Sequence, residues 1–244
     1  MRNLLVFAFL LVFPLAAMSE DMENVRAYPV YWQGVDVGEL VIKIKRQGND
    51  FHIEAHIKSK NIAAIISGYS SDTASNATLI AEKISPVSFK TNFELKKKPR
   101  HIEIKYGSGG QVTSEQNNPL EDRNKRPEVA KSLKNGAYDP LSAALLAREK
   151  LRQMRDSGQL EKGKSNFTIP MYDGRRRSNL EFTVYGREML KLGGNKISVI
   201  HIGFIDNPVA GYTKNEIRDL PTENPVINAY ISDDECNGCN ETAR

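Results

Sequence analysis

The stretch that decides the fold is residues 37–58, VGELVIKIKRQGNDFHIEAHIK. Apolar and polar residues alternate on both sides of a turn at residues 47–50, Gln-Gly-Asn-Asp. After the turn, one face of the strand carries Phe51, Ile53, Ala55 and Ile57. Period-two alternation broken by a glycine-containing turn is typical of a hairpin in a half-buried antiparallel sheet.

The same alternation extends outward from this hairpin in both directions. Because strands outnumber helices, we expect a mainly β fold in which a curved antiparallel sheet forms an open barrel or half-barrel with one central helix. The further strands are predicted at residues 25–32, 69–82, 87–95, 101–106, 111–114, 166–172, 179–190, 196–205 and 226–231. The polar stretches 115–136 and 206–224 are predicted to be loops.

The central helix is predicted near residues 140–156. Asp139 is a good N-cap and Pro140 suits the first helical position. An apolar stripe then follows at helical spacing, and it includes Leu141, Leu145 and Leu151. We expect the helix to pack across the mouth or the concave face of the sheet, where this stripe would act as a plug or lid.

The N-terminus has the pattern of a secretory signal peptide. A short cationic start is followed by an apolar run at residues 4–17, and small residues favour cleavage after Ser19. We therefore expect a signal peptide at residues 1–19, a single β-rich domain at 20–232, a polar tail at 233–244, and a periplasmic location. No later segment is long and apolar enough to predict a transmembrane helix. The formal net charge of +4 does not favour a nucleic-acid partner.

The tail contains the only two cysteines, Cys236 and Cys239. In an oxidising compartment two neighbouring thiols pair readily, which predicts a small terminal disulfide loop or a disordered tail. The alternative is a Cys-x-x-Cys redox site, but the acidic residues 233–235 disfavour the thiolate that such a site needs. Two ligands do not complete a zinc site.

Three ordered segments carry a family resemblance: residues 31–38 (YWQGVDVG), 138–143 (YDPLSA) and 172–176 (YDGRR). Together they resemble an exported family of Gram-negative bacteria known as domain of unknown function 3108. The resemblance implies a periplasmic β-rich domain with no established activity, and it transfers no catalytic residues. Such domains look similar to open half-barrels that carry lipoproteins or lipids. The family pattern also implies a closing strand after residues 230–234, where this chain has its cysteine-containing tail.

The strongest candidate binding feature is the turn at residues 173–177, Asp-Gly-Arg-Arg-Arg. Guanidinium groups bind phosphate and carboxylate groups with two donors each, so Arg175 and Arg177 are predicted to contact an acidic headgroup, and Asp173 of the same turn is a further candidate ligand-binding residue. Strand alternation would place Arg176 on the opposite face. The alternative is a plain hairpin turn whose arginines pair with nearby acids. Trp32, Leu141 and Leu145 are candidates to line an apolar cavity, although the pattern favours a core role for Trp32.

Enzymatic motifs are weak in this sequence. His52, Glu54 and His56 share a strand face and offer two metal ligands, but the alternation explains them as a polar outer face. There is no Gly-x-Ser-x-Gly nucleophile elbow and no phosphate-binding glycine loop, so no cofactor is expected. The sequence therefore favours a non-enzymatic periplasmic carrier or envelope-assembly factor for a lipid, a lipoprotein or another amphiphile. The alternatives are a periplasmic hydrolase or metal-dependent enzyme, and a structural protein that docks an envelope partner through an exposed edge strand.

Overall fold

The structure, a computed structural model, describes residues 21–32, 35–66, 68–81, 83–192, 194–219 and 226–232. Within these ranges the chain forms eleven strands in two antiparallel sheets, together with four α-helices. The mainly β class is therefore confirmed. The strands are divided between two sheets, because the long central helix and its flanking loops separate the first seven strands from the last four, and the open-barrel shape stays a prediction.

The first sheet is a meander in which each strand pairs with its neighbour in sequence. The decisive hairpin pairs Gln47 with Asp50 and continues to the pair of Gly38 and Ser59. This register places the alternating apolar residues of both strands on one face, as period-two patterning requires. The strands are β1 (Asp21–Trp32), β2 (Val35–Gln47), β3 (Asp50–Ser59), β4 (Ser70–Ile80), β5 (Lys83–Leu95), β6 (Lys98–Tyr106) and β7 (Val112–Asn118).

The second sheet is also a meander, in the order β11-β10-β9-β8. Its two longest strands meet at a turn between Leu192 and Asn195. Tyr138 forms a parallel bridge with Met171, so the outer edge of β8 is partly covered by the chain that leads into the central helix. The strands are β8 (Ser165–Tyr172), β9 (Arg177–Leu192), β10 (Asn195–Ala210) and β11 (Ile227–Ser232).

Three of the four helices are short: α1 (Asn61–Ile66), α2 (Lys131–Lys134) and α4 (Lys214–Arg218). The long helix α3 (Pro140–Asp156) begins where the sequence places its N-cap. The carboxylate of Asp139 accepts hydrogen bonds from the backbone N–H groups of Leu141 (3.1 Å) and Ser142 (3.0 Å). Pro140 occupies the first helical position, where its missing N–H costs nothing.

Helix α3 lies in the hydrophobic core rather than outside it. Leu145 and Leu151 are fully buried, and they belong to a cluster that also contains Ile53 of the first sheet and Phe182 of the second. Burying a leucine side chain contributes about 1.5–3 kcal/mol. The two sheets and the helix are therefore stabilised by one shared core. A smaller cluster beside it centres on Phe89, Ile102, Ile104 and Tyr172.

Two predicted loops are shorter in the structure. Strand β7 reaches Asn118, and strand β10 reaches Ala210 before α4 begins. Both extensions carry polar or proline residues that weaken the strand pattern, but their backbones pair in register with β6 and β9. Backbone pairing with an established neighbour outweighs weak strand propensity.

Candidate functional site

A cavity of about 670 Å³ lies between the first sheet and the end of β8, in the size range of small-molecule sites. The inner faces of β4, β5 and β6 form one wall, and the start of α3, the β8–β9 turn, the loop at 124–127 and α4 form the others. Its lining comprises Tyr69, Ser71, Thr73, Phe89, Thr91, Phe93, Leu95, Ile102, Asn124, Lys125, Arg126, Pro127, Pro140, Leu141, Met171, Asp173, Arg175, Arg176, Tyr212, Thr213, Lys214, Asn215, Glu216 and Asp219.

Small side chains on β4 leave space for the cavity. The buried positions along this strand are Ser71, Thr73, Ser75 and Ala77, whereas the buried positions of β2 and β3 are mostly large and apolar. An interior that is otherwise closely packed opens where side chains are short. The short side chains on the inner face of β4 therefore account for the space on this side of the cavity.

The same short side chains form a row of buried hydroxyl groups. The oxygen of Thr73 lies 3.0 Å from that of Ser71 and 2.8 Å from that of Thr91, and all three residues line the cavity. Each hydroxyl can donate one hydrogen bond and accept others, so the row satisfies itself and still offers acceptors to a ligand.

Apolar side chains line the cavity beside the hydroxyl row. Phe89 and Ile102 are buried on the first sheet, and Leu141 and Met171 face the cavity from α3 and β8. A cavity with an apolar wall and a few polar groups is the usual form of a small-molecule site.

The turn between β8 and β9 forms the polar end of the cavity. One carboxylate oxygen of Asp173 accepts hydrogen bonds from the backbone N–H groups of Arg175 (2.8 Å) and Arg176 (2.6 Å). The other lies 2.8 Å from the Arg176 guanidinium. Burial favours the neutral form of Asp173, but Arg176 and these N–H groups outweigh it and lower the pKa of the carboxyl. Gly174 permits the turn, because its φ is +89° and an added Cβ would lie 2.3 Å from Ile102.

A second group of charges extends this polar end. Arg126 is almost fully buried, and its guanidinium lies 3.3 Å from Glu121 and 2.7 Å from Glu216. Glu121 also pairs with Arg100 at 2.8 Å and with Arg175. Glu216 is positioned by a capping box at the start of α4, in which its carboxylate accepts from the Thr213 N–H at 2.7 Å. Four arginines and three acids therefore form one network at this end, and five of the seven line the cavity: Arg126, Arg175, Arg176, Asp173 and Glu216.

Some of the sequence-predicted residues meet at this cavity. Asp173, Arg175 and Leu141 line it. Leu145 is buried in the shared core and is not part of the lining. The side chain of Trp32 falls outside the described part of the structure, so its predicted contact stays a prediction.

Two of the three arginines in the 173–177 turn pair with nearby acids, as expected for a plain hairpin turn. Arg175 and Arg176 pair with Glu121 and Asp173. Arg177 does not line the cavity; it donates to the Leu133 carbonyl at 3.0 Å and to the Asn179 amide oxygen at 2.9 Å. The predicted separation of Arg176 from Arg175 is wrong, since residues 173–176 form a turn in which strand alternation does not apply.

Sequence reasoning missed Arg126, Glu216 and the hydroxyl row. The row has a sequence signal, because the inward positions of β4 are small or hydroxyl-bearing, and at Ser71 the paired residues of β3 and β5 are Ile57 and Phe93. Arg126 has no such sequence signal, because its partner Glu216 is 90 residues away along the chain.

The histidines lie elsewhere. His52 hydrogen-bonds Asn76 (2.9 Å) and Glu54 (3.2 Å), and His56 bonds Asp72 at 2.7 Å, all on the face of the sheet opposite the core. Among the described residues, no group of three or more histidine, cysteine or acidic side chains could hold a metal ion. The predicted signal peptide and the cysteine-containing tail lie outside the described residues.

None of the described helices combines the length and the apolar composition needed to span a bilayer.

Comparison with known proteins gives a family and no function. No curated protein and no solved structure matches this chain significantly. The sequence model of the family described as protein of unknown function DUF3108 matches residues 27–237, which is most of the chain. The chain therefore belongs to the DUF3108 family.

Proposed function

We propose that this protein is a non-enzymatic periplasmic carrier or envelope-assembly factor that holds an amphiphile, such as a lipid or a lipid-bearing protein segment, in the cavity behind β4. In this proposal the two sheets act as an open half-barrel, and the cavity occupies part of its concave side. The single observation that carries the proposal is the cavity itself. Apolar side chains and a row of hydroxyl groups line it from the first sheet, and charged side chains gather at one end.

The volume suits this use. At the liquid volume of water, about 30 Å³ per molecule, 670 Å³ holds roughly twenty non-hydrogen atoms. That is enough for an acyl chain with a small headgroup. Phe89, Leu141 and Met171 offer apolar contact to the chain, and the hydroxyl row and the arginines offer polar contact to the head.

The N-terminal pattern supports the periplasmic setting, since the apolar run at residues 4–17 has the features of an export signal. Export of a binding protein with a preformed cavity is consistent with a role in moving or sequestering envelope amphiphiles.

The hydrolase alternative receives less support from the site. No histidine is found among the described residues that line the cavity, and the hydroxyls of Ser71, Thr73 and Thr91 bond one another rather than a general base. A serine or threonine nucleophile needs such a base within hydrogen-bonding reach. The metal-enzyme and edge-docking alternatives stay open and lack a comparable observation.

The proposal is tested by filling the cavity. Thr91→Leu places a larger apolar side chain in the space beside the hydroxyl row. We expect it to weaken binding of a fluorescent fatty-acid probe at least tenfold, because the chain and the new side chain compete for one volume.

The matched control is Thr113→Leu, the same change at an exposed position on β7. It should leave probe affinity unchanged. Equal affinity for the probe in the wild type and Thr91→Leu, with both proteins folded, would contradict binding in this cavity.

A further inference from the structure

The charged side chains that line the cavity are not balanced. Five of them are cationic and three are acidic. The cations are Lys125, Arg126, Arg175, Arg176 and Lys214, and the acids are Asp173, Glu216 and Asp219. An excess of positive charge in the lining of a partly open cavity attracts an anion, because protein walls screen the charges less than water does.

The acids that partner these arginines lie partly outside the cavity. Glu121 pairs with Arg126 and Arg175, yet it is not a lining residue. Asp206 also lies outside the lining; burial raises the pKa of its carboxyl, and the positive charge of Arg176 offsets part of that rise. Arg126 and Arg175 are therefore held by an acid outside the lining, whereas Arg176 is held by Asp173 within it.

Arg126 also has an unused donor. Its side chain is 4% exposed, and its Nε atom makes no hydrogen bond within the described part of the chain, although Glu121 lies 3.3 Å away. A buried donor without a hydrogen bond has lost its contact with water and gained nothing in return, which costs free energy. A ligand oxygen at this position would remove that cost.

Glu216 is the group with which a ligand would compete. It lines the cavity from the short helix α4, 2.7 Å from Arg126 and 4.0 Å from Arg176. Its carboxylate shows that an oxyanion fits beside these two guanidinium groups. A second carboxylate or a phosphate beside the same arginines would meet similar geometry.

We propose that the arginine end of the cavity selects amphiphiles with an anionic headgroup, a carboxylate or a phosphate, through Arg126, Arg175 and Arg176. This inference rests on the proposed function and adds the chemical class of the ligand. Arginine suits this task, since its planar fork matches both oxyanions and keeps its charge when buried. The apolar wall then holds the chain, and the charged end rejects neutral heads that cannot satisfy the arginines.

The test uses isothermal titration of the purified protein with dodecyl phosphate, dodecanoate, dodecanol and inorganic phosphate. We expect both anionic amphiphiles to bind at least tenfold more tightly than dodecanol, and inorganic phosphate to bind far more weakly than dodecyl phosphate.

Two variants change the charge in opposite directions. Arg175→Gln removes a donor, and a charge-assisted bond of about 1.5–3 kcal/mol corresponds to roughly ten- to hundredfold weaker binding of the anions. Glu216→Gln removes the competing charge and keeps the capping box, which accepts glutamine. It should tighten anion binding several-fold. Neither variant should change the affinity for dodecanol.

The matched control is Lys90→Gln, which removes one positive charge from the exposed face of β5, next to Thr91 but on the other side of the sheet. It should leave all four affinities unchanged. If Arg175→Gln does not fold, as judged by its thermal unfolding, the opposite sign expected for Glu216→Gln still decides the question.

The outcomes separate the two proposals. If dodecanol binds as tightly as the anions and neither variant alters binding, the headgroup inference is wrong while the amphiphile cavity stands. If no amphiphile binds, both fail. If inorganic phosphate binds as tightly as dodecyl phosphate, the cavity is a site for a free anion and the amphiphile is rejected.

Discussion

Replacing Asp139 with asparagine should change how the stability of the protein depends on pH. The Asp139 carboxyl is fully buried at the start of α3, where it caps the helix. Burial raises its pKa from 3.8 to about 6, and hydrogen bonds from Ser142, Ser75 and the Leu141 N–H offset only part of that rise. The folded state therefore binds this proton more tightly than the unfolded state does.

Proton linkage gives the direction and the size of the pH-dependent contribution of Asp139 to the free energy of unfolding. Because the raised pKa belongs to the folded state, the contribution of Asp139 is complete below about pH 4 and is lost as pH rises through 6. A shift of about two units at 1.36 kcal/mol each gives a loss of about 3 kcal/mol, of which about 2 kcal/mol falls between pH 4 and pH 7.5. Asparagine keeps the capping oxygen and cannot ionise.

The assay is urea unfolding of the wild type and Asp139→Asn at both pH values. The free energy of unfolding of the variant, relative to the wild type, should rise by about 2 kcal/mol from pH 4 to pH 7.5. Taking this difference cancels the other titrating groups, which are common to both proteins. Parallel pH profiles for the two proteins would refute the reasoning.

Three further changes test the fold around the site. Gly211→Ala should destabilise the protein by well over 1 kcal/mol more than Gly48→Ala: both glycines have positive φ, but only at Gly211 would the new Cβ lie 2.2 Å from a backbone oxygen, that of Arg175. Chemical denaturation of both variants measures the difference, and equal losses would argue against this contact. Leu145→Ala should cost about 2–5 kcal/mol, whereas Leu133→Ala at a 38% exposed position should cost far less. Similar melting temperatures for that pair would contradict the placement of α3 in the core. Tyr172→Phe should cost about 1 kcal/mol, since its hydroxyl donates to Glu115 at 3.0 Å, and an unchanged unfolding free energy would show that this bond contributes nothing.

Local patterns were sufficient to predict most of the elements. The hairpin around Gly48 follows from alternation and a turn, and helix α3 follows from Asp139, Pro140 and an apolar stripe. These signals lie within a few residues of the structure that they specify. The division into two sheets has no such signal, because it depends on where β7 and β8 lie after the intervening residues have folded.

The candidate site was predicted only in part, for the same reason. The sequence pattern predicted Asp173 and Arg175 as parts of a charged turn. Their surroundings come from distant segments: Glu121 is 54 residues from Arg175, and Glu216 is 90 residues from Arg126. Side-chain alternation also misled the assignment of Arg176, since it applies to extended strands and not to the turn that this residue occupies.

The measurement that tests the central claim most directly is native mass spectrometry of the protein purified from periplasm under gentle conditions, followed by extraction and identification of any bound molecule. The account predicts a species heavier than the mature chain by the mass of one acidic amphiphile, and this species should disappear in Thr91→Leu but persist in Thr113→Leu. A wild-type protein that carries no amphiphile from the periplasm and takes up none when offered would contradict it.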